Sequence, residues 1–169
     1  MKRSVLIKAL FPVLTVLLLS SAVAFAQVEA TVDIKPGSCK NPLNLKSKGV
    51  LPVVILGSNM LDVANIDVAS LRLSFPDADP PKEGVNPVRS KLEDVTLADC
   101  AGEGPDGFVD LVLKFRTQDV VGLLPVDELT RGQIVPLVLT GILRDETGTE
   151  MTITGEDTVT IIKKKVKGQ

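Results

Sequence analysis

The chain contains no histidine, tryptophan or tyrosine, and its 169 residues include only five phenylalanines and two cysteines. Without histidine, no catalytic dyad or triad that needs an imidazole base can form, and His-ligated zinc and haem are also excluded. The shortage of aromatic side chains leaves little from which to build a stacking platform for sugars or bases. Chemistry that uses carboxylates alone, as in glycosidases, remains open.

Long apolar runs are also absent, except for one within residues 1–26. Three basic residues precede that run: Lys2, Arg3 and Lys8. It ends in Ala24-Phe25-Ala26, whose two alanines suit signal peptidase. We therefore interpret residues 1–26 as a Sec-type secretory signal peptide cleaved before Gln27, which predicts a secreted or periplasmic protein with no membrane association after cleavage. An uncleaved membrane anchor is the alternative.

The remaining 143 residues suit one domain, which we place at 27–162. Without the leader, 16 Lys and Arg face 21 Asp and Glu, a net charge of −5. This mild acidity argues against nucleic acid as a partner. The basic end, 163–169, is interpreted as a disordered, solvated tail, with contact to an anionic surface as the alternative.

The apolar pattern is that of β-strands. Short segments rich in Val, Ile, Leu and Thr are separated by turn residues, and they number seven or eight. In 28–35 the even-numbered residues would face a core, and in 108–115 Val109, Leu111, Leu113 and Phe115 would face inward and Asp110 outward. Thr117 could cap one short helix near 117–124. We predict an all-β, single-domain β-sandwich, immunoglobulin-like in general architecture.

Cys39 and Cys100 are the two cysteines of the chain. In an exported protein an even pair predicts a disulfide, with two free thiols as the alternative. The bridge would close a loop of about 60 residues, and the chain-entropy model gives roughly 4 kcal/mol for such a loop.

The stretch "DCAGEGPDGFVDLVLKF", residues 99–115, is rich in carboxylates and glycine. Hard cations such as Ca²⁺ take several oxygen ligands from one loop, and Asp99, Asp106 and Asp110 are the candidates here. An EF-hand is excluded because a strand, and not a helix, follows the loop. An ordinary polar turn is the alternative. General acid–base chemistry by Glu93 and Asp94 with Asp110 is disfavoured, since neighbours on a strand point to opposite faces.

Several blocks together resemble an uncharacterised domain that recurs in exported bacterial and archaeal proteins. The longest is "VDIKPGSCKNPLNLKSKGVLPVVILGS" at 32–58. Further matching blocks are found at Ile66 to Arg72, Leu92 to Val95, Asp106 to Phe115 and Gly155 to Val159. The resemblance implies a secreted or surface-attached protein, often beside other domains, without an assigned activity.

The resemblance also bears on the acidic loop. Many members carry N-G-D-G-x-x-D there, which looks calcium-binding, whereas this chain keeps only D-G-x-x-D at 106–110. The positions of Cys39 and Cys100 resemble a form of the domain that is held by a disulfide. We expect an exported, non-enzymatic structural or interaction module without a cofactor, whose partner is an unknown protein or cell-surface component. The alternative is a calcium-stabilised binding module that uses the loop at 99–110.

Overall fold

The computed structural model describes residues 27–95, 105–145 and 147–163. Short runs of β-branched and leucine residues, ended by turns that contain Gly, Pro or Asn, form the strands. The elements are β1 (Gln27–Glu29), β2 (Val32–Ile34), β3 (Pro42–Asn44), β4 (Val50–Ile55), β5 (Ile66–Ser74), β6 (Arg89–Glu93), β7 (Asp110–Arg116), α1 (Thr117–Leu123), β8 (Ile134–Arg144) and β9 (Glu150–Ile162). A 3₁₀ turn at Val63–Asn65 precedes β5.

These strands form two sheets. The four-stranded sheet has the order β2-β4-β7-β6, and all of its pairs are antiparallel. The five-stranded sheet has the order β1-β9-β8-β5, and β3 also pairs with β9. Both β1 and β3 run parallel to β9, at its beginning and at its end.

The core lies between the two sheets. In β7, Leu111, Leu113 and Phe115 face it, as predicted. The other sheet contributes alternate residues of β8 and β9, such as Leu137, Leu139, Val159 and Ile161. An all-β sandwich of a single domain is therefore confirmed, with nine strands in the described part of the chain where seven or eight were predicted.

The segment at 28–35, whose alternation predicts a single strand, divides between the two sheets. β1 pairs with β9, whereas β2 pairs with β4 in the other sheet. The chain crosses beside Gly155, where a Cβ atom would overlap the carbonyl oxygen of Ala30 and a methyl group of Val32. Alternation in sequence reports which residues are apolar, but it does not report a change of sheet.

The predicted short helix is present as α1. Its N-cap is Arg116 and not Thr117, and the cap makes no side-chain hydrogen bond. Thr117 is instead the first helical residue, its N–H donates to Gly49 O at 3.0 Å, and its side chain is buried. Val120 and Leu123 pack the helix against the sandwich.

Within the three described ranges, no helix is long and apolar enough to cross a membrane. The interpretation of residues 1–26 as a leader lies outside the described residues, as does most of the predicted tail. Lys163, the first residue of that tail, donates hydrogen bonds to Val126 O and Leu129 O.

Candidate functional site

The acidic stretch leads into a carboxylate that is buried at the start of β7. Asp110 is 1 % exposed. Its Oδ1 accepts a hydrogen bond from the N–H of Gly57 at 2.8 Å, and its Oδ2 accepts one from the N–H of Val95 at 2.9 Å. Gly57 follows β4 and Val95 follows β6, the two strands that flank β7. One side chain thus ties together the ends of three neighbouring strands.

The burial of Val109 and Asp110 is the reverse of the prediction. Val109 is 50 % exposed, whereas Asp110 is buried. The strand begins only at Asp110, so Val109 lies beyond the alternating pattern at the end of the sheet. Asp110 tolerates burial because both of its oxygens accept backbone hydrogen bonds, which compensate for the lost water.

Asp94 and Asp106 accept a second set of backbone hydrogen bonds, in the turn that precedes Asp110. The oxygens of Asp94 accept hydrogen bonds from the N–H groups of Asp106 and Gly107, at 3.2 and 3.0 Å. Asp106 Oδ1 accepts one from the N–H of Phe108 at 2.9 Å. Gly107 has φ 89°, a conformation that glycine adopts without strain. The arrangement is that of a polar turn in which carboxylates satisfy backbone donors.

The calcium prediction named Asp99, Asp106 and Asp110. Asp99 lies outside the described residues. Asp106 is exposed at the turn, while Asp110 is committed to the two backbone donors described above. Among the residues that the structure describes, no three His, Cys, Asp or Glu side chains are grouped to hold a metal ion. A calcium site that includes Asp99 stays a prediction.

Only one of the two cysteines of the predicted disulfide lies within the described residues. Cys39 lies in the turn between β2 and β3 and is not a free thiol. Cys100 lies outside the described residues. The pairing of Cys39 with Cys100 therefore stays a prediction.

A buried polar cluster, formed by Asp33, Asn41 and Asp157, joins the two sheets at the edge of β2. Asp157 lies on β9, and its Oδ2 accepts hydrogen bonds from the N–H of Ile34 at 2.7 Å and from Asn41 Nδ2 at 2.9 Å. Asn41 Nδ2 also donates to Thr158 O at 3.0 Å. A side chain of the five-stranded sheet thus supplies a hydrogen-bond partner at the open edge of the other sheet.

Two oxygens of this cluster are left without partners. Asp33 and Asn41 are 6 % and 9 % exposed, and Asp33 Oδ2 and Asn41 Oδ1 have no hydrogen-bond donor within the described part of the chain. Burial, and secondly the charge of Asp157, raise the pKa of Asp33 from 3.8 to about 6. The cluster therefore favours the neutral form of the Asp33 carboxyl group, which carries no charge to desolvate and none to oppose that of Asp157.

No motif in the sequence predicts this cluster. Asp33 alternates with Val32 and Ile34, and this pattern predicts only that it lies on the face opposite theirs. Asn41 follows Asp33 by only eight positions, but Asp157 lies 116 positions beyond Asn41, and β9 approaches both through its parallel pairing with β1 and β3. Lys35 and Asn41, in the segment between β2 and β3, have positive φ angles of 62° and 39°.

The carboxylates considered for acid–base chemistry are engaged elsewhere. Glu93 lies opposite Asp110 in the pairing of β6 with β7, but it forms an exposed ion pair with Lys91. Asp94 accepts hydrogen bonds in the turn.

No family model and no curated protein sequence matches the chain.

Proposed function

We propose that the mature chain is an exported, non-enzymatic structural or interaction module of the cell surface or extracellular space. The observation that carries the proposal is the pair of hydrogen bonds that Asp110 accepts from Gly57 and Val95. In a chain without histidine, carboxylates are the main candidates for acid–base catalysis. Here the buried carboxylate of the acidic loop is an acceptor for backbone donors, which is a structural role.

Export is supported by the leader and by the cysteines. The N-terminal 26 residues have the composition of a Sec-type signal peptide. Cys39 is not a free thiol, and a disulfide to Cys100 would suit a secreted or periplasmic protein. The resemblance at 32–58 also favours a surface-associated domain. The partner on this account is a protein or another cell-surface component.

The non-enzymatic part is tested with purified mature protein, residues 27–169. It is incubated with panels of ester, glycoside and peptide substrates, and we expect no turnover above a heat-denatured control. Turnover that disappears in Glu93→Gln or Asp94→Asn, while the melting temperature is kept, would contradict the proposal. Residual turnover that is unchanged in both variants indicates a contaminant and leaves the proposal standing.

The alternative function is a calcium-stabilised binding module. It is supported by the half-buried carboxylate of Asp94 and the exposed one of Asp106, which lie at one glycine turn next to the segment that contains Asp99. Isothermal titration of Ca²⁺ into EDTA-treated protein tests it. A single site with micromolar to millimolar affinity would favour this alternative, since extracellular modules bind calcium in that range.

A further inference from the structure

An open groove lies where β4 begins and β7 ends. Val50 and Arg116 are paired there across the two strands. The groove has a volume of about 570 Å³ and is lined by Lys48, Val50, Arg89, Arg116, Gln118 and Asp119, among others. Gln118 is held in place because its Nε2 donates to Leu45 O and Ser47 O. The groove is therefore a formed feature of the sheet edge and the first turn of α1.

The cations of this groove carry no ionic partner. Within the described ranges the ion pairs are Lys91 with Glu93, and Arg144 with Asp67 and Glu150. Lys48, Arg89 and Arg116 are exposed and take part in none of them. Asp119 is the one carboxylate in the lining. The groove thus carries a local excess of positive charge, although the predicted mature chain as a whole is acidic.

The positive charge continues along the sheet. Lys114 is two residues before Arg116 on β7, so both lie on the same face, about 7 Å apart along the strand. Arg89 of β6 is paired directly with Lys114. A second, smaller groove of about 120 Å³ shares Arg89 with the first and adds Lys91 and Lys114 to its lining. The two grooves form one basic surface, defined by Lys48, Arg89, Lys114 and Arg116, with Lys91, which is paired with Glu93, at its end.

We propose that this basic surface binds an acidic polysaccharide, a linear polymer that carries carboxylate or sulfate groups. The inference rests on the proposed function, for which it names the class of partner. Guanidinium groups match planar carboxylates and tetrahedral oxyanions through paired N–H donors, and successive cations on neighbouring strands suit a repeating charge. Among the described residues, those that line the two grooves are all non-aromatic, so the proposed recognition proceeds through charge and not through stacking on sugar rings or bases.

The test compares two double variants that remove the same charge. Arg89→Gln/Arg116→Gln changes the basic surface, and Lys40→Gln/Arg131→Gln changes exposed cations elsewhere. Mature wild-type protein and both variants are titrated by calorimetry with polygalacturonate, dextran sulfate, neutral dextran and single-stranded DNA at one low salt concentration, and the wild-type titrations are repeated at rising salt. Melting curves establish that both variants fold.

We expect the wild type to bind at least one acidic polysaccharide, with an affinity that falls as salt rises, and to ignore neutral dextran. The groove variant should lose about ten-fold or more in affinity, because two charge-assisted contacts are removed. The control variant should change by less than about two-fold, which is all that screened long-range charge supplies.

Equal loss in both variants would overturn the proposal, because the attraction would then be non-specific. Failure to bind either acidic polymer, or equally tight binding of DNA, would also overturn it. Reducing-end release from the bound polymers is measured in parallel. Polymer cleavage would contradict the non-enzymatic function while leaving the basic surface intact, so the two failures are distinguishable.

Discussion

Asp110 at the start of β7 accepts a hydrogen bond from the backbone N–H of Gly57, 2.8 Å away and 53 positions earlier in the chain. The approach is close because Gly57 has no Cβ, and an added one would overlap the carbonyl oxygen of Val109. The other oxygen of Asp110 accepts a hydrogen bond from the N–H of Val95. The acidic stretch thus delivers a carboxylate that holds the end of the four-stranded sheet together.

Asp110→Asn should destabilise the protein strongly. The amide offers only one oxygen, so its NH₂ group would face one of the two backbone donors and leave it unsatisfied. The expected loss in the free energy of unfolding is roughly 2 to 4 kcal/mol, measured by urea denaturation. Glu93→Gln, directly opposite on β6, should cost less than about 1 kcal/mol because its ion pair with Lys91 is exposed. An equal loss in the free energy of unfolding in both variants would contradict the structural role of the two Asp110 hydrogen bonds.

The buried cluster of Asp33, Asn41 and Asp157 predicts a pH dependence of stability. Because the pKa of Asp33 is raised from 3.8 to about 6, the folded state binds more protons than the unfolded state between these values. The free energy of unfolding contributed by this group therefore falls as pH rises through the window and is level above it. Denaturation of the wild type and of Asp33→Asn across this range measures the effect.

Asp33→Asn should remove this dependence and become the more stable form above pH 6. The full shift corresponds to about 3 kcal/mol, and solvent screening reduces the expected gain to roughly half of that. Asp77→Asn, at an exposed position, serves as the control. A difference between Asp33→Asn and wild type that is independent of pH would show that Asp33 does not titrate in the window.

Two glycine substitutions should have opposite signs. Gly155→Ala would force a Cβ into the backbone of Ala30, where the chain crosses between sheets, and should cost roughly 2 to 4 kcal/mol. Gly122→Ala, in α1 with open space around it, should stabilise by roughly 0.5 to 1 kcal/mol. Thermal melts of the two variants measure both effects. Equal melting temperatures of the two variants would refute the close contact between Gly155 and the backbone of Ala30.

The disulfide prediction is tested by mass. Under non-reducing conditions the mature protein should lack the two thiol hydrogens of Cys39 and Cys100 and should resist alkylation. Reduction should then lower the free energy of unfolding by up to about 4 kcal/mol, the chain-entropy value for a loop of this length. Two alkylated cysteines in the untreated protein would rule the bridge out.

Sequence periodicity predicted the fold class because apolar alternation reports burial directly. It placed Leu111, Leu113 and Phe115 in the core correctly. Periodicity predicted the wrong burial for Val109 and Asp110, because the residue at which a strand begins depends on its pairing with neighbouring strands. It did not predict the cluster at Asp33 for a related reason, since the charges that meet there come from segments far apart in the chain. Long-range polar contacts leave no local pattern in the sequence.

We infer that Asp94, Asp106 and Asp110 hold the end of the four-stranded sheet together and do not act as cation ligands. Melting curves of EDTA-treated wild type and Asp110→Asn, with and without millimolar Ca²⁺, test this inference. We expect Ca²⁺ to leave both melting temperatures unchanged and Asp110→Asn to melt roughly 5 to 15 °C lower in either condition. A rise of several degrees with Ca²⁺ in the wild type, abolished in Asp110→Asn, would contradict it.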